Sequence, residues 1–306
     1  MRNRFFGRLC GLVLLGVILT PPAQAAPLSG RYVAMGSSYA AGPGITTPAD
    51  QPPTRCARSQ DNYARQVARR LTLDLVDVSC SGATTANLLE PWRELPAQVA
   101  AVTSDTRLVT MTIGGNDLNF VGNLDAASCR ATQGAGCPPV QAPAEADYAA
   151  VERALHAVVT AVRTRAPQAR IVFVQYPAVL PPVGVCARTP MMEDEADRLR
   201  ATAARLVTIT DEVAQAEKVD VVRFSVRSAE HDACAADPWI SGYVDASGQK
   251  APVPYPNLAG MTAVADDLRS RGPPSEAPSV AGLRAPHLHL RHLHRFAGDF
   301  IIISIA

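Results

Sequence analysis

Leu108-Val109-Thr110-Met111-Thr112-Ile113, followed directly by Gly114-Gly115-Asn116-Asp117, decides the fold. The first six residues are apolar or β-branched throughout, the pattern of a strand covered on both faces. The Gly-Gly-Asn-Asp cluster stops it and starts a loop. The same succession occurs twice upstream: residues 31–35 run into Gly36-Ser37-Ser38-Tyr39, and residues 73–78 run into Cys80-Ser81-Gly82. Further short strands are predicted at 171–175, stopped by Pro177, and at 219–222. Helical periodicity fills the intervals at 62–71, 144–165, 193–218 and 258–268. Apolar strands spaced by helices predict an α/β protein, a three-layer α/β/α sandwich around a central parallel sheet. The segments 122–143 and 177–190 carry Cys, Gly and Pro and read as long loops bordering a ligand crevice at the strand C-termini.

The 306 residues are 47% hydrophobic and 19% charged, enough for a packed core, and the formal net charge of +1 implies no broad attraction to nucleic acid or anionic lipid. Residues 1–25 read as a signal peptide: Arg2, Arg4 and Arg8 precede a short apolar run, and Ala23-Gln24-Ala25 forms a small-residue cleavage site. An exported, periplasmic or extracellular protein without a stable membrane span is therefore expected. Cys56, Cys80, Cys129, Cys137, Cys186 and Cys234 remain after cleavage. An even number in an exported chain suggests disulfides over buried thiols, with sequential pairing the simplest arrangement, although sequence alone leaves every pairing open. No zinc-like spacing is present, so no structural metal is expected. Residues 27–270 form the expected globular domain. Residues 271–306 change character, with a Gly/Pro linker, the His287, His289, His292 and His294 cluster, and an apolar end, and read as an irregular tail.

Ser38 sits where a strand runs into a small-residue turn. There a serine can attack an acyl carbon, provided a base takes its proton and donors stabilise the oxyanion. Gly82 offers a backbone N–H and Asn116 a side-chain amide. Each alone is an ordinary turn residue. Their value lies in arrangement, since three strand ends would bring them to one crevice. The nucleophile elbow of α/β-hydrolases is not met, because Ala40 stands where its second glycine belongs.

Tyr32-Val-Ala-Met-Gly-Ser-Ser-Tyr-Ala-Ala-Gly-Pro-Gly44, Cys80-Ser-Gly-Ala-Thr-Thr85, Ile113-Gly-Gly-Asn-Asp117 and Pro256-Asn-Leu-Ala-Gly260 together resemble the SGNH (GDSL-type) hydrolases, in particular their secreted bacterial lipase/esterase branch. The resemblance spans about residues 30–270, in family order. It implies a flavodoxin-like topology, Ser38 as nucleophile, and Gly82 and Asn116 completing an oxyanion hole with the Ser38 N–H. It also implies three sequential disulfides and no cofactor.

Two positions depart from the family pattern. Ser37 replaces the usual Asp, a mild change because serine also hydrogen-bonds in such a turn. The general-base histidine expected just before Pro256-Asn257 is absent; the chain reads Pro254-Tyr255-Pro256-Asn257, as if one residue were deleted. Loss of a triad member removes on the order of 10³-fold or more of the rate. His231, beside Asp232-Ala233-Cys234, is the one surrogate base the sequence offers near the crevice. His156 lies mid-helix and reads as a packed or half-exposed side chain. The missing histidine and the altered tail both fall in the last fifth of the chain and also fit damage to the gene or an error in reading it, which resequencing its 3′ end tests.

The reading is a monomeric, secreted serine esterase or lipase for a small-molecule or lipid ester or an acylated glycan, impaired by the missing base. The alternative is a non-catalytic exported binding protein that keeps the crevice. A third reading, metal binding by the His-rich tail, is tested by metal titration of the tail peptide.

Overall fold

The computed structural model describes residues 30–244 and 254–271. The signal-peptide, tail and His-cluster readings therefore fall outside the described residues, except for Arg271. Five parallel strands, β1 Arg31–Gly36, β2 Asp74–Asp77, β3 Thr106–Thr112, β4 Arg170–Val174 and β5 Asp220–Val222, form one sheet in the order β2-β1-β3-β4-β5. This is the doubly wound order in which the chain reverses direction between β1 and β3, and crevices open at the strand C-termini there.

The helices are α1 Ser38–Ala41, α2 Tyr63–Leu71, α3 Thr85–Leu89, α4 Phe120–Gln133, α5 Glu145–Arg165, α6 Glu193–Glu217, α7 Phe224–Arg227 and α8 Leu258–Ser270. Alternate strand residues point to opposite faces. Val33, Met35, Val109, Met111, Ile171 and Phe173 belong to one buried cluster with α3 to α6. Tyr32, Ala34, Leu108, Val172, Val174 and Val222 belong to the other, with α2 and α8. The α/β/α layering read from the apolar runs is thus the observed architecture. Among the described residues no helix is long and apolar enough to cross a membrane, and no cluster of His, Cys, Asp and Glu is arranged to hold a metal.

Two segments differ from the sequence reading. Ser38 opens a one-turn helix ended by Gly42 at φ 71°, so the predicted small-residue turn is helical. The predicted loop 122–143 contains most of α4. Gly122, Asn123, Ser128 and Cys129 carry little helix propensity. Burial of Phe120, Leu124 and Ala127 against the core overrides that weakness.

The three disulfides are Cys56–Cys80, Cys129–Cys137 and Cys186–Cys234. The first anchors the loop after β2. The third joins the loop after β4 to the segment after β5.

The end of β1 is held by one side chain. The Gln98 amide accepts from the Gly36 N–H at 2.7 Å and donates to the Gly36 carbonyl at 3.0 Å, both buried. Gln98→Ala leaves the buried Gly36 N–H unpaired, while the Gly36 carbonyl keeps the Cys80 N–H at 3.0 Å. It is expected to cost about 1–3 kcal/mol, read as a lower urea-unfolding midpoint at unchanged m-value.

Candidate active site

β1 delivers its last residue into a tight turn. A Cβ on Gly36, at φ 124°, would lie 2.5 Å from the Thr112 carbonyl oxygen, so no larger residue fits. The Ser37 N–H donates to that carbonyl at 2.9 Å, which seats the turn on the end of β3. Ser38 follows and is buried, at 2% exposure. The Ser37 side chain faces inward, its hydroxyl 3.0 Å from the Tyr176 hydroxyl and 3.4 Å from the Thr112 carbonyl oxygen. Serine thus hydrogen-bonds where the family pattern carries Asp.

The second loop is pinned on both sides of Gly82. Cys80 is bonded to Cys56, and Ser81 donates to the Cys56 carbonyl from its N–H at 3.1 Å and its hydroxyl at 2.9 Å. Gly82 has φ 85°, a conformation that glycine adopts without strain.

The third loop is tied to the second. The Asn116 amide donates to the Ala83 carbonyl at 2.8 Å. The Asp117 carboxylate accepts from the Thr85 N–H at 3.1 Å and from its hydroxyl at 2.5 Å. Burial raises the Asp117 pKa despite these bonds. The Tyr176 hydroxyl, just past β4, accepts from the Gly115 N–H at 3.1 Å while touching Ser37, so the fourth strand end braces the first and third. The loops carrying Ser38, Gly82 and Asn116 are therefore cross-linked at one sheet edge. Among the described residues no hydrogen bond leaves the backbone N–H of Ser38 or of Gly82. The Asn116 amide has one hydrogen beyond the one given to Ala83. Such a set can present donors to an oxygen that gains negative charge.

Tyr255 stands at the same place. Its segment is fixed from several directions: the Tyr39 hydroxyl donates to the Pro254 carbonyl at 2.8 Å, and the Ser241 N–H donates to the Tyr255 carbonyl at 2.9 Å. The Asn257 side chain caps α8 by accepting from the Gly260 N–H at 3.0 Å. The Tyr255 ring meets Tyr39 edge-on, centroids 5.5 Å apart. Burial raises its pKa, the Ser38 hydroxyl is the hydrogen-bonding neighbour that partly offsets this, and Asp125 raises it further. The Asp125 carboxyl itself accepts from Tyr243 at 2.8 Å, and burial raises its pKa. With the α8 cap and the preceding contacts in place, Tyr255 itself occupies the position beside Ser38. Tyr255 stands directly before Pro256-Asn257, where the resemblance leads one to expect a histidine.

His231 lies elsewhere in the contact pattern. Its Nδ1 is 2.7 Å from the Asp237 carbonyl oxygen, and its ring stacks on Trp239 at 3.9 Å. Among the described residues it makes no hydrogen bond to Ser38. His156 pairs with Glu217 at 2.7 Å across α5 and α6. Sequence reading missed Tyr176 and Gln98. Tyr176 carries a signal, its place directly after a strand at the same sheet edge. Gln98 carries none.

Residues 34–263 match the model of the GDSL-like Lipase/Acylhydrolase family. The chain is 32% identical over 262 residues to Lipase 2 of Streptomyces coelicolor, covering 80% of this chain and 86% of that protein. The crystal structure of the extracellular lipase of Streptomyces rimosus superposes with a TM-score of 0.63 at 26% identity, covering 79% of this chain and 99% of that one. Phospholipase A1 of Streptomyces albidoflavus NA297 does so with a TM-score of 0.63 at 25% identity, covering 79% and 98%.

Proposed function

The chain belongs to the GDSL-like lipase/acylhydrolase family, a family of carboxylic ester hydrolases, and on that premise we propose that it is an exported, monomeric protein that binds acyl esters at Ser38 and turns them over slowly near neutral pH. The observation that carries this reading is the cross-linking of the Ser38, Gly82 and Asn116 loops at one sheet edge, with Tyr255 beside the serine. Export is supported by the signal-like first 25 residues and the three disulfides.

In this proposal the Ser38 Oγ attacks the ester carbonyl carbon. The carbonyl oxygen becomes an oxyanion and takes hydrogen bonds from the Ser38 and Gly82 N–H groups and the Asn116 amide. The bond to the alcohol breaks, an acyl-Ser38 ester remains, and water releases the acid. No cofactor takes part. Both halves of the cycle need a proton acceptor. A phenol ordinarily ionises near pH ~10, and burial raises Tyr255 further. At neutral pH it holds its proton and cannot accept that of Ser38. The same observation favours the second reading, an exported protein that binds acyl ligands without turnover.

Hydrolysis of p-nitrophenyl butyrate by the mature, oxidised protein tests this. The expected rate near neutral pH is close to that of Ser38→Ala, with a Ser38-dependent increase only above pH ~10, where the phenol ionises. Robust neutral activity abolished by Ser38→Ala would contradict it and place the base elsewhere, with His231→Ala the next variant.

A further inference from the structure

Tyr176 lies just past β4 with its side chain buried at the sheet edge. Its hydroxyl has two partners, and the donors available fix the direction of both bonds. The Gly115 N–H, at 3.1 Å, can only donate, so the Tyr176 oxygen accepts there. Burial pushes the phenol well above its usual pKa, so it keeps its hydrogen. That hydrogen goes to the other partner, the Ser37 Oγ at 3.0 Å. Ser37 then has its own hydrogen for the Thr112 carbonyl at 3.4 Å. A one-way chain of bonds therefore runs from the Gly115 N–H through Tyr176 and Ser37 to the Thr112 carbonyl. It starts and ends on β3 and its loop, and it passes through the turn after β1.

The contact is built from residues that permit no slack. A Cβ on Gly115 would lie 2.7 Å from the Tyr176 ring and hydroxyl, so only glycine lets the phenol approach its N–H. Ser37 is fully buried, and a buried hydroxyl that loses its partner has no water to replace it. The Tyr176 ring is clasped independently of its hydroxyl. Its centroid is 4.6 Å from that of Tyr39 and 6.3 Å from that of Phe120. Phenylalanine at position 176 thus keeps the packing and removes only the bonds.

The neighbours in sequence give the chain of bonds its consequence. Ser37 immediately precedes Ser38, and Gly115 immediately precedes Asn116. Among the described residues the Tyr176 hydroxyl bonds to neither Ser38 nor Asn116, yet it ties the residue before each to the other. The far side of Asn116 is held by the Ala83 carbonyl at 2.8 Å. A misplacement on the order of 1 Å can cost about 10²-fold in rate. We propose that Tyr176 is a positioning residue for acyl transfer, its hydroxyl holding the Ser38 turn and the Asn116 loop in register. This role rests on the ester reading above.

The test is hydrolysis of p-nitrophenyl butyrate by the Tyr255→His protein, with further substitutions made in it and each variant checked by circular dichroism at the assay temperature. Tyr176→Phe is expected to lower kcat at least about tenfold, with KM within about twofold. Ser37→Ala removes the same contact from the other side and is expected to do likewise. The double variant should be no slower than the slower single one, because both break one chain. Tyr32→Phe is the control for simple loss of stability. It also removes a buried phenol bond, to Thr110 at 2.6 Å, but on the opposite face of the sheet. Its kcat is expected to stay within about twofold of the parent.

An unchanged kcat in Tyr176→Phe, an equal loss in Tyr32→Phe, or losses that multiply in the double variant would overturn the proposal and leave the ester reading intact. A Tyr255→His parent without Ser38-dependent hydrolysis would overturn both together.

Discussion

Replacing Tyr255 with histidine is expected to raise kcat/KM for p-nitrophenyl butyrate near neutral pH by about 100-fold, within the range a positioned general base supplies. The segment that carries the side chain is already held: Tyr39 takes the Pro254 carbonyl, Ser241 the Tyr255 carbonyl, and Asn257 caps α8. An imidazole there starts beside Ser38 and ionises near pH ~6.5, so at neutral pH it is free to accept a proton. The gain is placed at the low end of the range because the residue three before position 255 is Pro252, not a carboxylate that would orient the ring. Adding Ser38→Ala to the Tyr255→His protein should return the rate to background. A Tyr255→His rate equal to wild type would mean that the base is not what limits this site.

Removing the Cys186–Cys234 bridge by double substitution to serine is expected to cost about 4 kcal/mol, from the unfolded-chain entropy that a cross-link over 48 residues withholds. For an ordered region of this size that lowers Tm by about 8–16 °C in calorimetry under oxidising conditions. The bridge joins the two segments that follow β4 and β5, and the Thr189 hydroxyl lies 3.2 Å from the Cys234 sulfur. An unchanged Tm would mean that these loops are held by their other contacts, among them Tyr243 N–H to the Arg188 carbonyl at 2.7 Å and Arg188 to the Ala235 carbonyl at 2.7 Å.

The strands were legible because their sequence signal is the physics that buries them. Residues 108–113 are apolar or β-branched and occupy the centre of the sheet, and the observed β3 spans Thr106–Thr112. The meeting of the loops that carry Ser38, Gly82 and Asn116 was legible because each follows a strand end, and a parallel sheet brings those ends to one edge. α4 was not legible, because Gly122, Asn123 and Cys129 suggest a loop and only packing of Phe120 and Leu124 against other elements makes the segment helical. Gln98 and Tyr176 act through partners 62 and 139 residues away in sequence, separations at which no local pattern reports contact. Tyr255 was noticed as an absence. Its proximity to Ser38 depends on how Pro254 and Asn257 are tethered, which only the fold supplies.

The central claim is that Ser38 is an acyl-accepting serine whose base position is filled by a phenol that holds its proton. The most direct test is the reaction of wild-type and Tyr255→His proteins with diethyl p-nitrophenyl phosphate near neutral pH, followed by mass mapping of the modified peptide. A single phosphoryl label on Ser38 is expected in both, formed about 100-fold faster in Tyr255→His, and none in Ser38→Ala. Label on another residue, or equal rates in the two proteins, would contradict it.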